Sequence, residues 1–176
     1  MPHISERGAA LPASPIRKLT PYAEAAKARG VKVYHLNIGQ PDLPTPEKAM
    51  EAIRSIDKRT LSYSMSQGTP ALREEFSKYY RTFGIDLDPD EIIVTAGGSE
   101  ALLATFLTCF DPGDEVIITE PGYANYLSFA EAAGLVVKAV TSKIENGFAL
   151  PSAEDFKKAI TPRTKAILIC NPNNPT

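Results

Sequence analysis

Residues 91–102 read Glu-Ile-Ile-Val-Thr-Ala-Gly-Gly-Ser-Glu-Ala-Leu, and the fold turns on how they are read. Ile92-Ile93-Val94 is a short, β-branched run suited to a strand. Gly97 and Gly98 permit a tight turn and close backbone approach. Ser99 then opens a stretch of helical character that runs to Phe110. The unpaired N–H groups and positive dipole end of such a helix form an anion site, with phosphate its commonest occupant. The same residues also suit a plain strand-to-helix turn in which Ser99 only caps the helix.

The alternation continues outward from there. Val116-Ile117-Ile118, Leu135-Val136-Val137 and Ala166-Ile167-Leu168-Ile169 are further continuous apolar runs, of the kind that parallel strands covered on both faces require. Helical stretches near 123–133 and 152–160 separate them, and Ser152 with Asp155 reads as a capping box. Strand-helix alternation predicts an α/β fold, a mostly parallel sheet flanked by helices. Upstream, Thr20-Pro21, Thr45-Pro46 and Thr69-Pro70 each pair an N-cap with a proline at the first helical position. Helices are expected over 21–29, 46–57 and 70–83, with Gly30 and Gly84 as left-handed caps after the first and third. Leu72, Phe76, Tyr79, Tyr80 and Phe83 mark the expected buried face of the third. The first 20 or so residues, interrupted by Pro2, Pro12 and Pro15, read as an extended arm.

Composition narrows the class. The 176 residues carry 19 Lys+Arg against 21 Asp+Glu, a formal charge of −2, with 43% hydrophobic residues. That balance gives no basic field for nucleic acid. No apolar run approaches the roughly 18–20 residues needed to cross a bilayer, and the first ten residues lack the apolar core of a secretory signal. A cytoplasmic protein is expected, with Cys109 and Cys170 as buried free thiols. The two histidines, His3 and His35, sit in no cluster with cysteine or carboxylate, so neither a metal site nor a Ser-His-Asp triad is supported. His35 falls in Val33-Tyr-His-Leu-Asn37, read as a strand. The Rossmann and Walker A glycine patterns are both absent.

Four further segments can carry chemistry or be ordinary structure. Asn37-Ile-Gly-Gln-Pro-Asp42 is a turn whose Gly39 backbone could approach a carboxylate closely. Pro121-Gly122-Tyr123 follows a strand and places an aromatic where it could stack on a planar ligand or simply pack. Tyr63, ahead of Gly68, is ambiguous in the same way. Asn171-Pro-Asn-Asn-Pro-Thr176 is a turn-rich segment directly after a strand, where α/β proteins place functional loops.

In this order, together with Asp111-Pro-Gly-Asp-Glu-Val116, Gly97-Gly-Ser-Glu-Ala-Leu102 and the opening Ser14-Pro-Ile-Arg-Lys-Leu19, these segments resemble the class I/II aminotransferases. These are fold-type I enzymes dependent on pyridoxal 5'-phosphate (PLP), of the aspartate aminotransferase kind. The resemblance implies that Gly98 and Ser99 form the phosphate cup, that Tyr123 stacks on the cofactor ring, and that Asn174 hydrogen-bonds its phenolic oxygen. It implies that Gly39 contacts the substrate α-carboxylate. It also implies a homodimer with shared sites, in which Tyr63 reaches the neighbouring subunit's cofactor phosphate.

On the same footing, residues 1–35 correspond to an N-terminal arm and helix, and 36–176 to the first part of the PLP-binding large domain. The Schiff-base lysine, the aspartate that pairs with the pyridinium nitrogen and the carboxylate-clamping arginine are expected beyond residue 176. No catalytic residue is therefore assigned within the chain, and Lys138, Lys143, Lys157, Lys158 and Lys165 are read as solvated surface charges. The expectation is transamination between an L-amino acid, aspartate among the candidates, and a 2-oxo acid in the full-length parent. The 176 residues alone are expected to be inactive and marginally stable. The scaffold also hosts β-lyases and synthases. A non-catalytic module holding a phosphate-bearing ligand at Gly98-Ser99 is a further reading.

Overall fold

The computed structural model describes residues 2–11, 14 and 16–176. Seven helices are described, α1 (Glu6–Ala10), α2 (Thr20–Ala28), α3 (Glu47–Arg54), α4 (Pro70–Arg81), α5 (Gly98–Cys109), α6 (Asn125–Ala132) and α7 (Ala153–Ala159), with three strands, β1 (Glu115–Glu120), β2 (Val136–Thr141) and β3 (Thr164–Leu168). They fall into two compact units, one of Met1–Lys18 with Ala96–Thr176, the other of Leu19–Thr95.

The first unit is the expected α/β layer. Its three strands are all parallel, in the order β2-β1-β3. Glu115 pairs with Val136 on one side and Thr164 on the other, and the β1–β3 register shifts by one between Glu115 and Val116. Central β1 is buried along almost its whole length, whereas β2 buries only Val140 and β3 half-buries alternate residues. Coverage on both faces therefore belongs to β1 alone. Val116 and Ile118 meet Phe106 of α5 and Ala130 of α6, with Ala133 and Leu135 closing the cluster. The Ser152–Asp155 capping box at α7 is formed, each residue serving the other's backbone N–H.

The second unit departs from expectation in several places. Ile92–Val94 forms no strand: Ile92 N–H turns back to Pro89 O at 3.3 Å and Val94 N–H donates to Gln67 O at 2.9 Å. Its backbone groups go to a turn and an irregular segment, not to a ladder. Val33–Asn37 is likewise irregular, with His35 exposed. On α4 the buried residues are Arg73 and Ser77, not the aromatic stripe. Arg73 Nη1 donates to Pro89 O (2.7 Å) and Asp90 Oδ1 (2.9 Å), and Ser77 Oγ to Leu87 O (2.6 Å). The polar face is thus the one turned to the segment that follows. Tyr79 and Phe83 stay largely exposed and pack edge-to-face on each other, 5.1 Å between centroids.

The proline-led starts hold as helices with shifted caps. Leu19 and Pro46 occupy the cap positions of α2 and α3, because the helical turn at Arg17–Leu19 leads directly into α2 and the chain is extended at Pro46. Thr69 stands at the α4 cap, but its hydroxyl makes no capping bond. Gly30 and Gly84 adopt positive φ after α2 and α4, as expected. The arm is not wholly extended, since it contains α1, which packs against α6. Pro12 and Pro15 lie outside the described residues. Both cysteines are free, but Cys109 is exposed and Cys170 only half-buried.

Candidate functional site

Parallel strands bring their C-terminal ends to one edge of the sheet, and in open α/β sheets ligands bind outside that edge. Here β1 ends at Glu120 and its neighbour β3 at Leu168. The loops that follow are therefore adjacent: Pro121–Ala124 on one side, Ile169–Thr176 on the other. A cavity of about 380 Å³ opens at this edge, lined by Thr119, Ser142, Phe148, Cys170, Asn171 and Asn173 among others.

The loop after β1 is tightly constrained. A Cβ on Gly122 would stand 2.7 Å from the Thr119 carbonyl oxygen, so only glycine fits the backbone here. Tyr123 is half-buried, its hydroxyl accepts a hydrogen bond from Asn125 Nδ2 at 2.7 Å, and its ring packs edge-to-face on Tyr126 at 5.4 Å. The Tyr126 phenol is pushed up to about 12, first by its hydrogen bond to Cys170 and then by burial. It remains a neutral hydroxyl at physiological pH.

The loop after β3 is tied across to the first. Asn173 Nδ2 donates to Pro121 O at 2.9 Å and to Thr176 Oγ1 at 2.5 Å. Its Oδ1 is buried without a hydrogen-bond partner. Asn174, beside it, is exposed.

Gly98 and Ser99 form the first turn of α5, with Gly97 as N-cap. Ser99 is thus the second helical residue, two positions beyond the cap. Helix geometry leaves the N–H groups of Gly98 and Ser99 without an intrahelical partner. Glu100 turns its carboxylate back onto the Ala96 N–H at 2.6 Å, so that upstream amide is already satisfied. Nothing approaches within 4 Å of where a Cβ would stand on Gly97 or Gly98. Gly39 and Tyr63 belong to the second unit, where both are exposed, Tyr63 completely.

The opposite end of the strands is an ion-pair cluster. Glu115, at 0% exposure, accepts from Thr161 Oγ1 (2.6 Å) and Arg163 Nη2 (3.0 Å), with Lys138 Nζ at 3.6 Å. The Thr161 hydrogen bond, more than any other contact, holds its carboxyl below the usual carboxylate range. Lys165 pairs with Asp114 at 2.8 Å. Lys138 is half-buried and ion-paired; Lys143, Lys157, Lys158 and Lys165 are exposed as expected, with Lys157 and Lys158 also paired locally to Glu154 and Asp155 of α7. Glu115 stands five residues before the end of β1, roughly 17 Å from the loop edge.

Among the described residues no group of three or more His, Cys, Asp or Glu could hold a metal ion, and no helix is long and apolar enough to cross a membrane. The family model of the class I and II aminotransferases matches residues 31–176. The chain belongs to that family. It is 39% identical over 175 residues to the aspartate/prephenate aminotransferase of Thermus thermophilus, covering 98% of this chain and 45% of that protein. It is also 39% identical over 175 residues to the aspartate aminotransferase of Geobacillus stearothermophilus, covering 98% of this chain and 44% of that one. The crystal structure of the Thermotoga maritima aspartate aminotransferase superposes with a TM-score of 0.91 at 36% identity, over 98% of this chain and 46% of the other. The chain thus spans under half the length of the relatives it matches.

Members of the family use PLP, and the residues present fit that group. Two unpaired helix-start amides and the Ser99 hydroxyl suit a phosphate, with open space beside the glycines. A half-buried phenol ring and an exposed asparagine lie on neighbouring loops at the strand ends. The ties through Asn125, Tyr126, Cys170 and Asn173 were invisible in the sequence reading. The doubled asparagine of Asn173-Asn174 was its one available signal.

Proposed function

We propose that the polypeptide carrying this chain is a PLP-dependent aminotransferase, moving an amino group between an L-amino acid and a 2-oxo acid, with aspartate the first donor to try. The observation that carries this is the grouping of a helix start and two strand-end loops in one α/β unit of this family. PLP, when bound, supplies an electron-accepting ring for chemistry at the amino acid's α-carbon.

The chain's own residues hold and orient. Gly98 and Ser99 bind the phosphate with amides and a hydroxyl aligned with the α5 dipole. Tyr123 covers one ring face, Asn174 donates to the phenolic oxygen, and Gly39 offers its N–H to the substrate carboxylate. Tyr63, exposed in its own unit, serves the cofactor phosphate of a second copy in a cytoplasmic homodimer. Residues 1–35 act as arm and helix, and 36–176 as the first part of the cofactor-binding domain. Proton transfer at the α-carbon needs a lysine that none of these residues supplies. In support, Lys138 and Lys165 are engaged in ion pairs remote from the loop edge. The 176 residues alone therefore do not turn over.

The test is an assay of the full-length protein with PLP, L-aspartate and a 2-oxo acid. The expected result is one new amino acid formed per oxo acid formed. Release of ammonia with no amino acid formed, across a panel of donors, would point to lyase chemistry and overturn the transfer reading.

A further inference from the structure

We propose that Asn173 is a positioning residue, a latch that fixes the loop carrying Asn174 against the loop carrying Tyr123. This rests on the PLP reading of the site and adds to it a residue that does not itself need to touch the cofactor.

Pro121 and Asn173 are 52 residues apart in sequence, yet Asn173 Nδ2 meets the Pro121 carbonyl at 2.9 Å. The same nitrogen reaches Thr176 Oγ1, so both of its hydrogens are engaged, one within its own loop and one across to the other. Both loops leave neighbouring parallel strands, β1 and β3, and no ladder hydrogen bond extends between them beyond Ile118 and Leu168. Side-chain ties must therefore set their separation.

The loop after β1 is built to pass a displacement on. Gly122 is packed against the Thr119 carbonyl with no room for a Cβ. Tyr123, one residue later, is held at its hydroxyl by Asn125. A shift of Pro121 cannot be absorbed at Gly122, and so it reaches the Tyr123 ring. A second tie, from Tyr126 on α6 to Cys170, holds the start of the segment after β3 to that helix and not to the loop after β1. The bond between the two loops themselves is the one from Asn173 to Pro121. The buried Asn173 Oδ1 makes no hydrogen bond. Buried amide oxygens in folded proteins are mostly hydrogen-bonded. Here only the donor end is used, and that end spans the two loops.

The experiment uses the full-length protein, titrated with PLP and followed by absorbance and by the circular dichroism that the bound cofactor acquires in its visible band. Asn173→Asp keeps the shape and removes the donor; Asn173→Ala removes both ends. Both are expected to weaken PLP binding roughly 3- to 10-fold, the range of one net hydrogen bond, and to reduce the dichroic band, with apo-protein melting within a few degrees of wild type. In a Tyr123→Ala background, Asn173→Ala should cost measurably less than it costs alone, because part of the latch's effect runs through that loop and the rest through Asn174.

Unchanged affinity and dichroism in both variants would overturn the latch while leaving the PLP reading intact. Full additivity with Tyr123→Ala would do the same, as would loss of the fold in both variants, which would make Asn173 purely structural. No PLP binding by the wild-type protein would overturn the site reading itself, and the latch with it.

Discussion

Ala96–Thr176 and Leu19–Thr95 use similar sequence signals to different ends. In the first, β-branched runs become strands because each has a neighbour to pair with, and Val116 and Ile117 reach 0% exposure. In the second, Ile92-Ile93-Val94 has the same character but finds no ladder, and Ile92 is its one buried hydrophobic residue among those described. The buried positions on α4 are polar, Arg73 and Ser77. Leu36 and Leu61 are almost fully exposed. An apolar run thus states what a segment can bury, and the available partners decide whether it does.

Substitutions in the full-length protein sharpen that contrast. Ile117→Ala should cost about 2–5 kcal/mol in chemical denaturation, since it empties a fully buried site in the central strand. A loss below about 1 kcal/mol would mean that β1 is not the core of its unit. The polar core of the second unit should come next. Arg73→Ala removes charge-assisted bonds to Pro89 and Asp90, with an expected loss of about 1.5–3 kcal/mol. Ser152→Ala, which opens the capping box of α7, should cost about 1 kcal/mol. Leu36→Ala, at an exposed position, should stay within about 0.5 kcal/mol; a loss as large as that of Ile117→Ala would erase the distinction between the regions.

The pH dependence separates the units in another way. Glu115 has its carboxyl held below its ordinary value of 4.5 by Thr161, Arg163 and Lys138, despite burial acting the other way. A lowered folded-state value means the stabilisation is fully present above the unfolded value. It is lost as the pH falls through the folded one. Stability of the Ala96–Thr176 core should therefore decline on acidification below about pH 4.5, and Glu115→Gln should flatten that part of the profile. An acid limb of unchanged steepness in the variant would assign the effect to other carboxylates, Asp114 and Asp155 among them.

Much of the first unit was legible because its signals are local: apolar runs of strand length, the Ser152–Asp155 box, two glycines before a helix. The candidate site was readable only as a set, since Gly98, Tyr123 and Asn174 each suit ordinary structure taken singly. The reading failed where a long-range partner decided the outcome. Nothing within Val33–Asn37 says that no strand will pair with it, and nothing near Leu72 says that Arg73 will find Pro89 and Asp90. The partners that bury Glu115, Thr161 and Arg163, come from 46 and 48 residues away. The Asn173–Pro121 tie was hidden for the same reason.

The most direct test of the PLP-site account is borohydride reduction of the full-length protein with PLP, followed by intact mass and peptide mapping. The account predicts one pyridoxyl group per chain, on a lysine outside residues 1–176, with incorporation reduced when Ser99 and Tyr123 are replaced. An adduct on Lys143, Lys157 or another lysine within these residues, or none on the wild-type protein, would contradict it.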